Sequence, residues 1–123
     1  MTASKVLIAE DEPHIVESLA FLLGREGFDV QSAPDGEAAF TLVSTIRPDV
    51  MILDVMLPRM NGFEVLRRVR ADPLLKGLPV IMLTAKGQNQ DRQRADEIGA
   101  DAFITKPFSN RDVIDQVRAL VAG

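Results

Sequence analysis

The chain has 123 residues, enough for one sizeable core and too few for two ordinary ones, so a single domain over 1–123 is expected. Hydrophobic residues make up 46% and charged residues 26%, which argues against disorder, and a net charge of -4 removes the basic field that direct nucleic-acid binding needs. Cysteine is absent, and the start, Met1-Thr2-Ala3-Ser4-Lys5, leads into four apolar residues only, so the reading is a soluble cytoplasmic protein with neither disulfides nor membrane attachment.

The first apolar run, Val6-Leu7-Ile8-Ala9, is short and does not alternate, as in a parallel strand covered on both faces. Ile15, Leu19, Leu22 and Leu23 then recur at helical spacing, with Pro13 in the first turn and Gly27 after the end. Phe28-Asp29-Val30-Gln31 is a weaker strand suited to a place nearer the sheet edge. A second helix begins near Asp35, carries Ala39, Leu42, Val43 and Ile46, and closes before Pro48. Val50-Met51-Ile52-Leu53 is the third strand, and Asn61 with Glu64 marks the capped start of a helix that buries Val65, Leu66 and Val69. Val80-Ile81-Met82-Leu83 is the fourth strand. In the stretch from Gln90 to Ile98 only Ala95 and Ile98 are apolar, which predicts a weakly docked helix. Ala102-Phe103-Ile104-Thr105 is a second candidate for a place nearer an edge, and the last helix starts at Ser109 with Val113, Val117, Leu120 and Val121 inward.

Five strand-helix units joined by short loops imply a parallel sheet with helices on both faces, because right-handed crossovers leave few alternatives. Ligand sites in such folds lie at the carboxyl ends of the strands. Glu10 and Asp11 follow the first strand, Asp54 the third, Thr84 the fourth and Lys106 the fifth. Three clustered acids repel one another unless a hard cation sits among them, and Mg2+ suits one or two carboxylates completed by waters and phosphate oxygens. A carboxylate beside that metal can attack phosphorus, with a lysine and a hydroxyl contacting the transferred group. The only histidine, His14, lies outside this set, so imidazole acid-base chemistry has no candidate.

The motifs Ala9-Glu10-Asp11-Glu12, Leu53-Asp54-Val55-Met56-Leu57-Pro58 with Asn61-Gly62, Leu83-Thr84-Ala85, and Gly99-Ala100-Asp101-Ala102-Phe103-Ile104-Thr105-Lys106-Pro107-Phe108 stand in order, each at a strand end. In them the chain resembles the receiver domains of two-component response regulators, from Lys5 to about Val121. The resemblance implies a flavodoxin-like (βα)5 α/β fold with strand order 2-1-3-4-5. It further implies Asp54 as phosphoacceptor, Mg2+ on Asp11, Asp54 and the Met56 carbonyl with Glu10 acting through water, Thr84 and Lys106 on the phosphoryl group, and Phe103 as a switch aromatic. A cis Lys106-Pro107 bond, phosphoryl donation by a histidine kinase or histidine phosphotransfer protein, and slow autodephosphorylation instead of enzymatic turnover also follow from it.

Each residue has a plainer reading. Glu10 and Asp11 can serve as helix-cap acids, Thr84 as a strand former, Lys106 as a loop lysine, Phe103 as a core or edge aromatic, and the charged run 91–97 as a wet helix face with pairs such as Arg92 and Asp96. A flavin or nucleotide module would need a phosphate-cradling loop where Glu10-Asp11-Glu12-Pro13 stands. An aspartyl-phosphate phosphatase would want a second acid where Met56 stands, and a phosphorylation-dead scaffold is disfavoured because no site residue is missing. Output is expected through the fourth helix, fifth strand and fifth helix towards a downstream protein target. By the resemblance, relatives with winged-helix DNA-binding partners pair this face symmetrically, and here Arg92 could face Asp112, and Glu97 could face Arg118, across such a two-fold axis. Gln93, Asp96, Ala102 and Gln116 leave that pairing without an apolar centre, so a monomer or weak homodimer is expected, stand-alone or the front of a longer regulator.

Overall fold

A computed structural model describes residues 3–85 and 89–122. Strands and helices alternate as β1 (Lys5–Ala9), α1 (Pro13–Arg25), β2 (Asp29–Ala33), α2 (Gly36–Ile46), β3 (Val50–Asp54), α3 (Gly62–Ala71), β4 (Val80–Ala85), α4 (Asn89–Ile98), β5 (Ala102–Lys106) and α5 (Asn110–Ala122). Every pairing is parallel, in the order β2-β1-β3-β4-β5. This is the flavodoxin-like arrangement expected, with its switch point between β1 and β3.

The unalternating strands follow from a core on each face of the sheet. Leu7, Ala9, Met51 and Leu53 pack with Val65, Leu66 and Val69 of α3 on one side. Val6, Ile8, Val50 and Ile52 pack with Leu19 and Leu23 of α1 and Val113 and Val117 of α5 on the other. Each such Val, Leu, Ile or Met side chain contributes about 1.5–3 kcal/mol on leaving water. The flanking β2 and β5 are less buried, in keeping with their edge positions.

Local chemistry sets the helix ends. Asp35 accepts the Ala38 N–H at 2.8 Å and Asn61 the Glu64 N–H at 3.0 Å, satisfying donors that a helix start leaves free. Only half of the expected capping box forms at Asn61, because the Glu64 carboxylate turns instead to Arg67 and Arg68. α1 closes with Gly27 at φ 92 and a Phe28 N–H to Leu23 carbonyl bond of 3.1 Å, the six-residue closure that favours glycine.

Two expectations need correction. β2 runs on to Ala33, pairing in register with Ala9, where the apolar pattern suggested an end at Gln31. Asp54, Thr84 and Lys106 do not follow their strands but belong to them, because Asp54 pairs with Leu83, Thr84 with Thr105 and Ala85 with Lys106. Ladder bonds carry the strands past the end of the apolar run. α4 is as weakly docked as its composition implied, with Ala95 its one buried residue.

Candidate functional site

The β1–α1 loop brings Glu10 and Asp11 to the switch point, and β3 brings Asp54. Ligand oxygens of these three carboxylates lie within 4.8 Å of one another. Glu10, Asp54 and Thr84 are 1%, 4% and 3% exposed, whereas Asp11 is open to solvent. From β5, Lys106 Nζ donates to Asp54 Oδ2 at 2.9 Å and pairs with Glu10 Oε1 at 2.7 Å. The contact to Glu10 is an ion pair without hydrogen-bond geometry, so Oε1 has no hydrogen-bond partner. The other Glu10 oxygen accepts the N–H groups of Asp11 at 3.0 Å and Glu12 at 3.3 Å. Asp54 Oδ1 accepts the Met56 N–H at 3.1 Å. The nucleophile candidate is therefore held through both oxygens. The Lys106-Pro107 bond is cis, as expected.

Close packing fixes the loop after Asp54. A Cβ on Gly62 would stand 2.2 Å from the Asp54 carbonyl oxygen, and one on Gly36 would stand 1.7 Å from the Met60 carbonyl oxygen. No side chain fits at either place, so α3 starts against the strand end and the Met60 turn rests on α2.

Electrostatics record the crowding. Burial, reinforced by the neighbouring Asp54 and opposed by Lys106, raises the Glu10 carboxyl from 4.5 to about 7. Burial works against the Lys106 ammonium, but its contacts with Glu10 and Asp54 prevail and raise its pKa. A donor set of three carboxylates against one ammonium, including a buried oxygen with no hydrogen-bond partner, fits a hard divalent cation.

A cavity of about 440 Å³ opens over these groups, lined by Asp54, Val55, Met56, Ala85, Asp91 and Lys106. A slightly larger depression of about 480 Å³ runs along α2 past Glu37, Thr41, Thr45 and Arg59. It contains none of the converging groups, so chemistry and not concavity locates the site. Asp91 was missed from sequence because it sits in a charged run that resembles any wet helix face. The side chain of Met56 is 75% exposed, and His14 is exposed outside the cluster. Phe103 is half-buried on β5, away from the carboxylates, with the Arg92 guanidinium 5.1 Å above its ring. The expected Arg92–Asp96 pair is absent among the described residues, because that guanidinium stacks on the aromatic face.

Comparison with known proteins agrees with this geometry. The chain is 44% identical over 117 residues to the alkaline phosphatase synthesis transcriptional regulatory protein PhoP of Bacillus subtilis, covering 95% of this chain and 48% of the relative. It is 43% identical over 115 residues to the DNA-binding response regulator MtrA of Mycolicibacterium smegmatis, covering 94% and 49%. The chain thus spans about half the length of the curated relatives it matches. A crystal structure of a response regulator from Chloroflexus aurantiacus superposes with a TM-score of 0.95 at 34% identity, covering 98% of this chain and 99% of the other. The family profile described as "Response regulator receiver domain" matches residues 6–118. With the acids, the threonine and the lysine gathered at one sheet edge, the chain belongs to the response regulator receiver domain family, the phosphoryl-receiving signalling switch of two-component systems.

Proposed function

We propose that residues 1–123 act as a single receiver domain in which Asp54 takes a phosphoryl group from the phosphohistidine of a histidine kinase or a histidine phosphotransfer protein. The observation that carries this is the buried Asp54 carboxylate, 2.9 Å from Lys106 Nζ and grouped with Glu10 and Asp11. An Asp54 oxygen attacks phosphorus, the new O–P bond forms as the P–N bond breaks, and the imidazole leaves with the electron pair. Lys106 and Thr84 would contact the equatorial oxygens. Asp11, Asp54 and the Met56 carbonyl would hold Mg2+ directly and Glu10 through water; the bound cation neutralises charge on the phosphoryl oxygens. Methionine at position 56 offers no acid or base for water attack, so autodephosphorylation is slow and the chain works as a switch, not as a turnover enzyme.

Output is assigned to the face of α4, β5 and α5, which Thr84 would reach through the loop from Ala85 to Asn89; residues 86–88 of that loop lie outside the described residues. A downstream protein is favoured over a second copy. Arg92 is stacked on Phe103, Arg118 is paired with Glu26 just past the end of α1, and the Gln116 amide donates to the Phe103 carbonyl at 3.1 Å. The two arginines that a symmetric dimer would use, Arg92 and Arg118, are engaged within the chain, so a monomer or weak homodimer is expected. Among the described residues no helix is long and apolar enough to cross a membrane, and the net charge of -4 disfavours direct nucleic-acid contact. A cytoplasmic location fits the partners proposed.

The test is phosphotransfer from histidine kinases or acetyl phosphate with Mg2+. Wild type labels, while Asp54→Asn and wild type in EDTA do not. Equal labelling of Asp54→Asn would refute the acceptor assignment.

A further inference from the structure

α4 has one buried side chain, Ala95, and its two arginines make no ion pair among the described residues. Both lie over aromatic rings instead. Arg94 sits 4.5 Å above Phe63 at the start of α3, and Arg92 sits 5.1 Å above Phe103 of β5. Two residues apart on a helix means roughly 200° around its axis, so the pair grips opposite flanks. The C-terminal end is fastened separately, because Arg70 Nε donates to the Gly99 carbonyl at 2.9 Å and its Nη2 pairs with Asp101 at 2.8 Å. Among the described residues no comparable anchor serves the N-terminal half.

The position of Arg92 is also electrostatically adverse. It stands in the first turn of α4, where the helix dipole disfavours positive charge. The aromatic face of Phe103 supplies the attraction that offsets this. Phe103 is half-buried and shares a shallow groove with Asn89, Arg92, Gln93 and Asp96, so this clip can open, whereas the Arg94 clip rests on a ring that is 4% exposed.

We infer that Arg92 is a cation–π latch whose stack on Phe103 holds the N-terminal half of α4 against β5 in the resting chain, with Arg94 and Arg70 as the fixed attachments. Its regulatory use rests on the reading that output runs through this face. Release frees the Phe103 ring and the groove together, while the C-terminal end of α4 stays in place.

Amide hydrogen exchange on the unphosphorylated protein tests the latch without reference to signalling. Arg92→Gln keeps helix propensity nearly constant and should speed exchange of the amides of residues 93–96, which bond the carbonyls of the first turn, about fivefold, leaving residues 6–9 and 50–53 unchanged. Loss of the adverse dipole interaction alone would slow exchange, so the sign discriminates. Phe103→Leu should give a similar rise, and combining the two should add nothing further. Unchanged or slower exchange in Arg92→Gln overturns the latch; should Phe103→Leu fail to fold, that sign alone decides. A second arm adds beryllofluoride, a phosphoryl mimic, and Mg2+ to wild type, where exchange at 93–96 should approach that of Arg92→Gln. If the variant behaves as expected and the mimic changes nothing, the latch stands and the output reading falls.

Discussion

Glu10→Gln should make the metal-free protein more stable above neutrality and change it much less in acid. The Glu10 side chain is excluded from solvent, and its pKa rises from 4.5 to about 7 in the fold, chiefly through burial. The folded state therefore binds a proton that the unfolded chain has released. Stability from this group is fully present below 4.5 and is lost as pH rises through 7. At about 1.4 kcal/mol per pH unit, that window corresponds to roughly 3 kcal/mol as an upper bound, with Lys106 absorbing part of it. Glutamine keeps the shape and cannot ionise. Urea unfolding in EDTA at pH 5 and pH 8 reads the effect as the variant's advantage over wild type, which should grow by about 1–3 kcal/mol between the two. Subtraction cancels the other carboxylates. Mg2+ at a hundredfold over its Kd should return about 2.7 kcal/mol to wild type at pH 8, and less at pH 5, where protons compete for the same oxygens. An advantage equal at both pH values would refute the reasoning.

Other outcomes follow from the same geometry. Asp11→Ala should weaken Mg2+ binding about tenfold or more, while Lys106→Ala, which removes the ammonium competing for Asp54 and Glu10, should hold or raise affinity; the reverse order in a titration would overturn both roles. Arg70→Ala should cost about 1–3 kcal/mol in urea unfolding, since it removes the donor to the Gly99, Lys76 and Leu78 carbonyls and the ion pair to Asp101, which keeps the Val80 N–H. Gly62→Ala should destabilise by more than about 2 kcal/mol and slow phosphorylation, because its Cβ would meet the Asp54 carbonyl oxygen at 2.2 Å. Sedimentation with beryllofluoride and Mg2+ should show no submicromolar dimer; its appearance would mean that the internal contacts of Arg92, Gln116 and Arg118 open readily.

How much could be read from the chain depends on how local the deciding physics is. The apolar runs of β1, β3 and β4 and the spacing of Leu19 with Leu23 or Val113 with Val117 report a two-faced sheet directly, since burial on both sides selects unalternating strands. Caps at Asp35 and Asn61 are equally local. Motif order was enough to name Glu10, Asp11, Asp54, Thr84 and Lys106 as one set. What the chain could not disclose were choices among competing partners. Glu64 turns to Arg67 and Arg68 instead of closing its cap, Arg92 takes the Phe103 ring over Asp96, Arg118 takes Glu26 beyond the end of α1, and Asp91 reaches the cavity over Asp54. Each is decided by which groups the packed helices place within a few ångströms. Sequence alone thus determined the elements, their sheet and which candidate residues stand at the strand ends, because hydrophobic period and strand-end position act locally. Tertiary structure decided which charge meets which partner, because the contacts that settle it join residues far apart in the chain and brought together only by the fold.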